Sequence, residues 1–256
     1  MTSPDLYALV FGFFAGALIL MTGVGAGVIV VPGLIALFGM PPSLAIGTAS
    51  VFSVLTKIMA GLSHLRENNV SQPLSLSFGK IALPAALAAA LLVNGLLSAL
   101  PEARGAIQLS LKVAVVLAAS SAMALMFLPG LNAAMRGSGP YVLPALCGTL
   151  VGATGVGGGV LIVPSLMSLS TESVKRVIGT SVVLGLVLSI ATGLVYGAAG
   201  ALAWRVALLM TAGALVAIPL AGRWFKRASE NQVRVLSALL IAISIGAMLI
   251  DIVSRR

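Results

Sequence analysis

Charge is what this 256-residue sequence has least of: 8% of its residues are charged, with six acidic side chains, one histidine and one cysteine. A soluble domain carries about 25% charged residues and could not keep its surface in water with so few. Cys147 alone excludes an internal disulfide and a cysteine-based metal cluster. His64 alone cannot build a metal site. The carboxylates Asp5, Glu67, Glu102, Glu172, Glu230 and Asp251 fall in predicted loops or at span ends. An intramembrane enzyme, which needs a converging nucleophile and base or a metal, therefore lacks its parts, and no cofactor is implied. Proton or sodium coupling through a buried Asp or Glu has no carrier either. A cleavable secretory signal is not expected, since the N-terminus has Asp5 in place of a basic stretch.

What the chain has instead is apolar length. Hydrophobic residues make up 59%, the mean hydropathy is +1.15, and no charge occurs from Leu6 to Leu55. This predicts an all-α polytopic membrane protein, multi-pass in the cell inner (plasma) membrane. The net charge of +9 does not point to nucleic acid. Arg223, Lys226, Arg227 and Arg234 surround one short loop, as expected of the positive-inside bias and anionic headgroups.

Two lists of membrane elements emerge. A broken apolar run at 6–38 precedes helices at about 42–64, 73–99 and 104–128. A second broken run at 141–170 precedes helices at about 174–198, 204–222 and 232–253. The two lists are one pattern repeated. Sliding the chain by 132 residues lays TGVGAGVIVVP (22–32) on TGVGGGVLIVP (154–164). Without a gap from 22 to 65 there are 17 identities in 44 positions, well beyond chance for apolar sequence. The repeats are residues 1–131 and 132–256 of one transmembrane domain.

In the second repeat the arms of the broken run are about 14 and 11 residues, or ~16–21 Å each, short of a ~30 Å hydrocarbon core. Joined as one rod they would be too long, so a re-entrant hairpin is predicted. Three further crossings per half then make the halves inverted. The basic residues agree, with eight on the presumed cytoplasmic face and four on the other.

Breaking a membrane helix strands backbone N–H and C=O groups, a state tolerated only against protein or a water-filled cavity. The second arm then offers free amides and the positive end of its dipole to an anion, and glycine admits the ligand to the backbone. The competing reading is close helix packing by small residues, which two equivalent copies make less economical. A dinucleotide site fails for want of G-x-G-x-x-G spacing and a soluble strand–helix unit. The candidate binding residues are Thr22, Gly23, Gly25, Gly27, Thr154, Gly155, Gly157, Gly158 and Gly159, joined by Thr48, Thr180, Ser181 and Lys57. Hydroxyls donate to an anion without adding charge, and the repeat pairs Thr48 with Thr180; alternatively each bonds back to its own helix. Lys57 lies deep in the second element, where an ammonium needs a cavity or partner. It would neutralise the substrate or carry a proton, unless it snorkels to the interface. Its repeat counterpart is Ser189. His64 reads as a polar loop residue and Cys147 as a buried inert thiol.

The repeated TGVGAG/TGVGGG, the following VP and then IGTA/IGTS resemble the TauE/SafE sulfite exporter family, also called the toluene-sulfonate uptake permease family. The resemblance spans both halves. It implies secondary transport of small sulfur-containing anions such as sulfite, sulfoacetate, other organosulfonates or thiosulfate. The family's glycine triplet is Gly157-Gly158-Gly159 in the second half and Gly25-Ala26-Gly27 in the first. The expected partners are that anion and the lipid bilayer, with a homodimer left open and nucleic acid not expected. Export by alternating access is the leading expectation; import of thiosulfate or sulfate, and a non-catalytic scaffold, are the alternatives.

Overall fold

The computed structural model describes residues 3–22, 27–127, 139–156 and 159–225, together with parts of 235–250. Among the described residues every regular element is helical. The first half comprises α1 (Ser3–Thr22), α2 (Gly27–Phe38), α3 (Pro42–Arg66), α4 (Gln72–Ala99), a 3-10 turn at Pro101–Ala103 and α5 (Arg104–Phe127). The second comprises α6 (Val142–Thr154), α7 (Ile162–Leu169), α8 (Val174–Ala198) and α9 (Trp204–Phe225), followed by α10 (Ile241–Ile250). Four helical stretches, α3, α4, the 3-10 turn with most of α5, and α8, are each long and apolar enough to cross a membrane.

Local sequence sets several of these limits. Asn68 adopts a left-handed φ of 54°, and the amides of Asn68 and Asn69 return to the carbonyls of Leu65 and His64, closing α3 with a Schellman motif. His64 is thereby corrected from a loop residue to the last turn of α3. The polar run after it ends the helix later than polarity alone suggested. At the other end of the next connection, Pro73 stands in the first turn of α4, where its missing N–H costs nothing. Ser173 caps α8 by accepting from the Arg176 amide.

The helices sort into a buried centre and an outer ring. Every residue of α2 from Gly27 to Ile35 is buried, and α3 and α8 are buried over most of their length. By contrast α4 and α5 expose most of theirs. Small residues set how closely the outer helices approach. Gly148 and Gly152 of α6 lie against the backbone of Ala82 and Ala86 of α4. Likewise Gly12 and Gly16 of α1 lie against Met210 and Ala214 of α9. A Cβ at any of these glycines would overlap the partner helix. The Gly16–Ala214 and Gly148–Ala82 contacts differ by 132 residues on both sides. Each half thus lends the first arm of its broken element to the other half.

At the centre α3 lies against α8. Gly47 meets Tyr196, Ser50 meets Gly193, and Ser53 bonds Ser189. A step forward along α3 is a step back along α8, so these two equivalent helices run antiparallel.

Candidate functional site

The two broken elements meet. Helix α6 ends at Thr154, whose hydroxyl donates to the Leu150 carbonyl at 2.6 Å and accepts from the Val156 amide at 3.1 Å. Gly155 follows in the left-handed region, φ 67°, which a glycine adopts without strain. The Gly155 carbonyl then touches Gly27, the first residue of α2, so closely that any side chain at Gly27 would collide with it. A Cβ on Gly155 would press on Val31 at 3.1 Å and Ile46 at 3.3 Å. The junction is therefore tight, and a carbonyl from the negative end of α6 faces the positive end of α2.

Tyr196 of α8 finishes the α6 terminus. It is fully buried and its hydroxyl lies 3.3 Å from the Gly152 carbonyl and 3.4 Å from that of Ala153. In the repeat, Tyr196 corresponds to His64, whose Nδ1 is buried without a hydrogen-bond partner. Sequence reasoning passed over Tyr196; its alignment with the one histidine was the available signal.

The remaining predicted residues are distributed as follows. Thr22 is the last residue of α1, and its side chain lies outside what is described, as do Gly23, Gly25, Gly157 and Gly158. Gly159 is buried, and its carbonyl accepts from the Val163 amide to begin α7. Ser181 is buried and donates to the Ile178 carbonyl at 2.7 Å. Thr48 and Thr180 sit at opposite ends of the α3–α8 pair, both fully buried. Thr48 donates to the Leu44 carbonyl at 2.7 Å and accepts from the Ala203 amide at 3.0 Å. Thr180 donates to the Arg176 carbonyl at 2.7 Å and accepts from the Ser71 amide at 2.9 Å. All three members of these sets are related by 132 residues. Each threonine holds the loop that leads into the next helix of the other half, α9 or α4.

Lys57 lies between those ends, in the middle of the α3–α8 contact. It is 6% exposed, and no hydrogen bond or ion pair of its ammonium is found among the described residues. Two sequence-silent features join it. Ser189 donates to Ser53 across the helix pair at 3.1 Å. Thr192 is 1% exposed and its hydroxyl has no partner.

Away from the centre, a cleft of about 740 Å³ opens between the start of α4 and the α7–α8 connection. Ser71, Ser77, Ser168, Ser170, Thr171 and Glu172 line its polar part. The Ser71 hydroxyl donates to Glu172 at 2.7 Å, and Arg176 holds the other carboxylate oxygen at 2.9 Å. No group of His, Cys, Asp and Glu able to hold a metal occurs among the described residues. Cys147 is buried against Ser165, with Sγ 3.4 Å from its hydroxyl.

Comparison with known proteins bears on this architecture as a whole. The model of the family described as "Sulfite exporter TauE/SafE" matches residues 8–248. A curated relative from Bacillus subtilis (strain 168), "Probable membrane transporter protein YjnA", is 26% identical over 249 residues, covering 92% of this chain and 96% of that protein. No solved structure matches. The resemblance carried by the glycine repeats therefore holds over nearly the whole chain: this multi-pass membrane transporter belongs to the TauE/SafE sulfite exporter family.

Proposed function

We propose that the chain exports a small sulfur-containing anion, sulfite, sulfoacetate or another organosulfonate, across the cell inner membrane. The two halves, residues 1–131 and 132–256, act as inverted repeats, each with a glycine-broken re-entrant hairpin, and rock about a central site in alternating access. The observation that carries this reading is the exchange of equivalent contacts around an antiparallel α3–α8 pair. Thr48 with Ala203 and Thr180 with Ser71 repeat the same bond at both ends of that pair. Two equivalent surfaces of this kind give two equivalent ways to tilt, and so two states open to opposite sides. The glycine junction and the buried Lys57 lie between them. Thr48 and Thr180 act in this scheme by positioning the loops that connect the halves, while Thr154, Gly155, Gly27 and Lys57 lie nearest the anion.

The sulfur specificity rests on the family, since a helix terminus and an ammonium accept any compact anion. With the cell interior negative, each net negative charge leaving gains about 2.3 kcal/mol per 100 mV, so export needs no coupled ion. The test is flux in proteoliposomes for sulfite, sulfate, thiosulfate, sulfoacetate and taurine against chloride and acetate. Sulfur anions are expected to move fastest and in the direction set by an imposed potential. Equal flux for all anions sinks the specificity, net accumulation against the potential turns export into import, and no flux returns the chain to a scaffold.

A further inference from the structure

We propose that the α3–α8 seam is where the substrate's charge is met, and that it selects anions carrying one negative charge. The inference rests on the transporter reading and assigns the chemistry of its central site. Four polar residues form a strip. Lys57 and Ser53 are one turn apart on α3, and Ser189 and Thr192 one turn apart on α8, so each pair shares a helix face. The Ser53–Ser189 hydrogen bond joins the two faces. All four side chains are at least nine-tenths buried.

Two of the four are unsatisfied, and each differs from its own kind. The other buried threonines, Thr48, Thr154, Thr180 and Thr211, all donate to the carbonyl four residues back. Thr192 does not, and its hydroxyl is left without a partner. Lys57 has no carboxylate to meet; the described carboxylates lie toward helix ends and connections, with Asp5 bonded to Arg205 and Glu172 to Arg176. Buried polar groups are nearly always satisfied, and a buried ammonium without a counter-ion is the costlier case. An anion in the seam satisfies both groups, with hydroxyls accepting the oxygens that the ammonium does not reach.

The seam also sits where a transporter needs its site. Continued at the register of Ser50–Gly193 and Ser53–Ser189, residues 132 apart would face each other near positions 55 and 187. Lys57 and Ser189 each lie two residues from that point, midway between the two halves.

Counting charge gives the substrate class. Lys57 supplies one full positive charge. The neighbouring α2 terminus adds at most about half a charge, and the Gly155 carbonyl already faces it. A singly charged anion such as a sulfonate leaves the seam close to neutral. A doubly charged one leaves excess negative charge in a low-dielectric interior, which burial penalises.

The experiment is equilibrium binding to the purified full-length protein at pH 7.5, with methanesulfonate as the singly charged probe and sulfate and thiosulfate as the doubly charged ones. Methanesulfonate is expected to bind at least tenfold more tightly than either. Lys57→Met should weaken methanesulfonate at least tenfold, and Lys57→Arg should restore most of it. Thr192→Val should weaken it severalfold without lowering the unfolding temperature of the ligand-free protein, because no internal bond is lost. Equal or tighter binding of the dianions overturns the charge selection. Unchanged methanesulfonate affinity in Lys57→Met overturns the assignment of the seam while leaving the transporter reading in place. Failure of the wild-type protein to bind any of the three removes both.

Discussion

The two halves agree in their scaffold and differ at their centre. Gly47 and Gly179 occupy equivalent places and lie against equivalent carbonyls, those of Ala201 and Asn69. Thr48 and Thr180 hold equivalent loops. Yet Lys57 stands opposite Ser189 in the repeat, and His64 opposite Tyr196. The first arms differ too: α1 has 20 residues where α6 has 13, so α1 spans about 30 Å and α6 about 20 Å. On its own α1 is as long as the hydrocarbon core is thick, which the re-entrant reading of the first half must accommodate. What the comparison teaches is a division of labour. Contacts that hold the halves together were kept in duplicate, while groups that can carry charge were kept in one copy.

The scaffold side of that comparison breaks most sharply at the paired glycines. Gly47→Val and Gly179→Val each push a side chain into a loop carbonyl and should each cost about 3 kcal/mol of stability. Unfolding in detergent checks this, and a loss in only one variant would end the equivalence. Charge placement comes next. Lys57→Ser should weaken methanesulfonate about tenfold, near 1.4 kcal/mol, and adding Ser189→Lys should recover part of it by moving the charge to the other half. If the double variant binds no better than Lys57→Ser, the centre is not interchangeable between repeats. Thr48→Val and Thr180→Val should each lower stability by about 1 kcal/mol, and by similar amounts. The smallest effect separates Tyr196 from His64. Tyr196→Phe should cost about 0.5–1 kcal/mol, since two α6 carbonyls lose their donor, whereas His64→Phe should cost less because its buried Nδ1 has no partner to lose. Both are measured as shifts in unfolding temperature.

Much of this was legible in the sequence because duplication makes the chain comment on itself. Scarce charge and long apolar runs announce an all-helical membrane protein. A glycine run that recurs at a fixed offset marks a break shared by two halves. That Thr48 and Thr180 form a pair was readable; that their partners are loop amides more than 100 residues distant was not, because those bonds depend on the antiparallel register of α3 and α8. Thr192 was invisible for a related reason. In a string it is one more hydroxyl in an apolar span, and only the missing bond to its own helix sets it apart. His64 misled because HLREN is polar throughout, and polarity does not tell a final helical turn from a loop. The signal lay four residues on, in an asparagine able to take the left-handed conformation that closes the helix.

The docking of α1 on α9 and of α6 on α4 has a consequence for how the protein is made. About 180 residues separate the end of α1 from the start of α9, so at 5–20 residues per second the first helix waits roughly 10–40 s for its partner. During that interval Gly12 and Gly16 present bare backbone to lipid. The matching helix α6, by contrast, emerges after α4 is already in place. Assembly is therefore sequential in one half and deferred in the other, and the last event is the closure of the first helix onto one of the last.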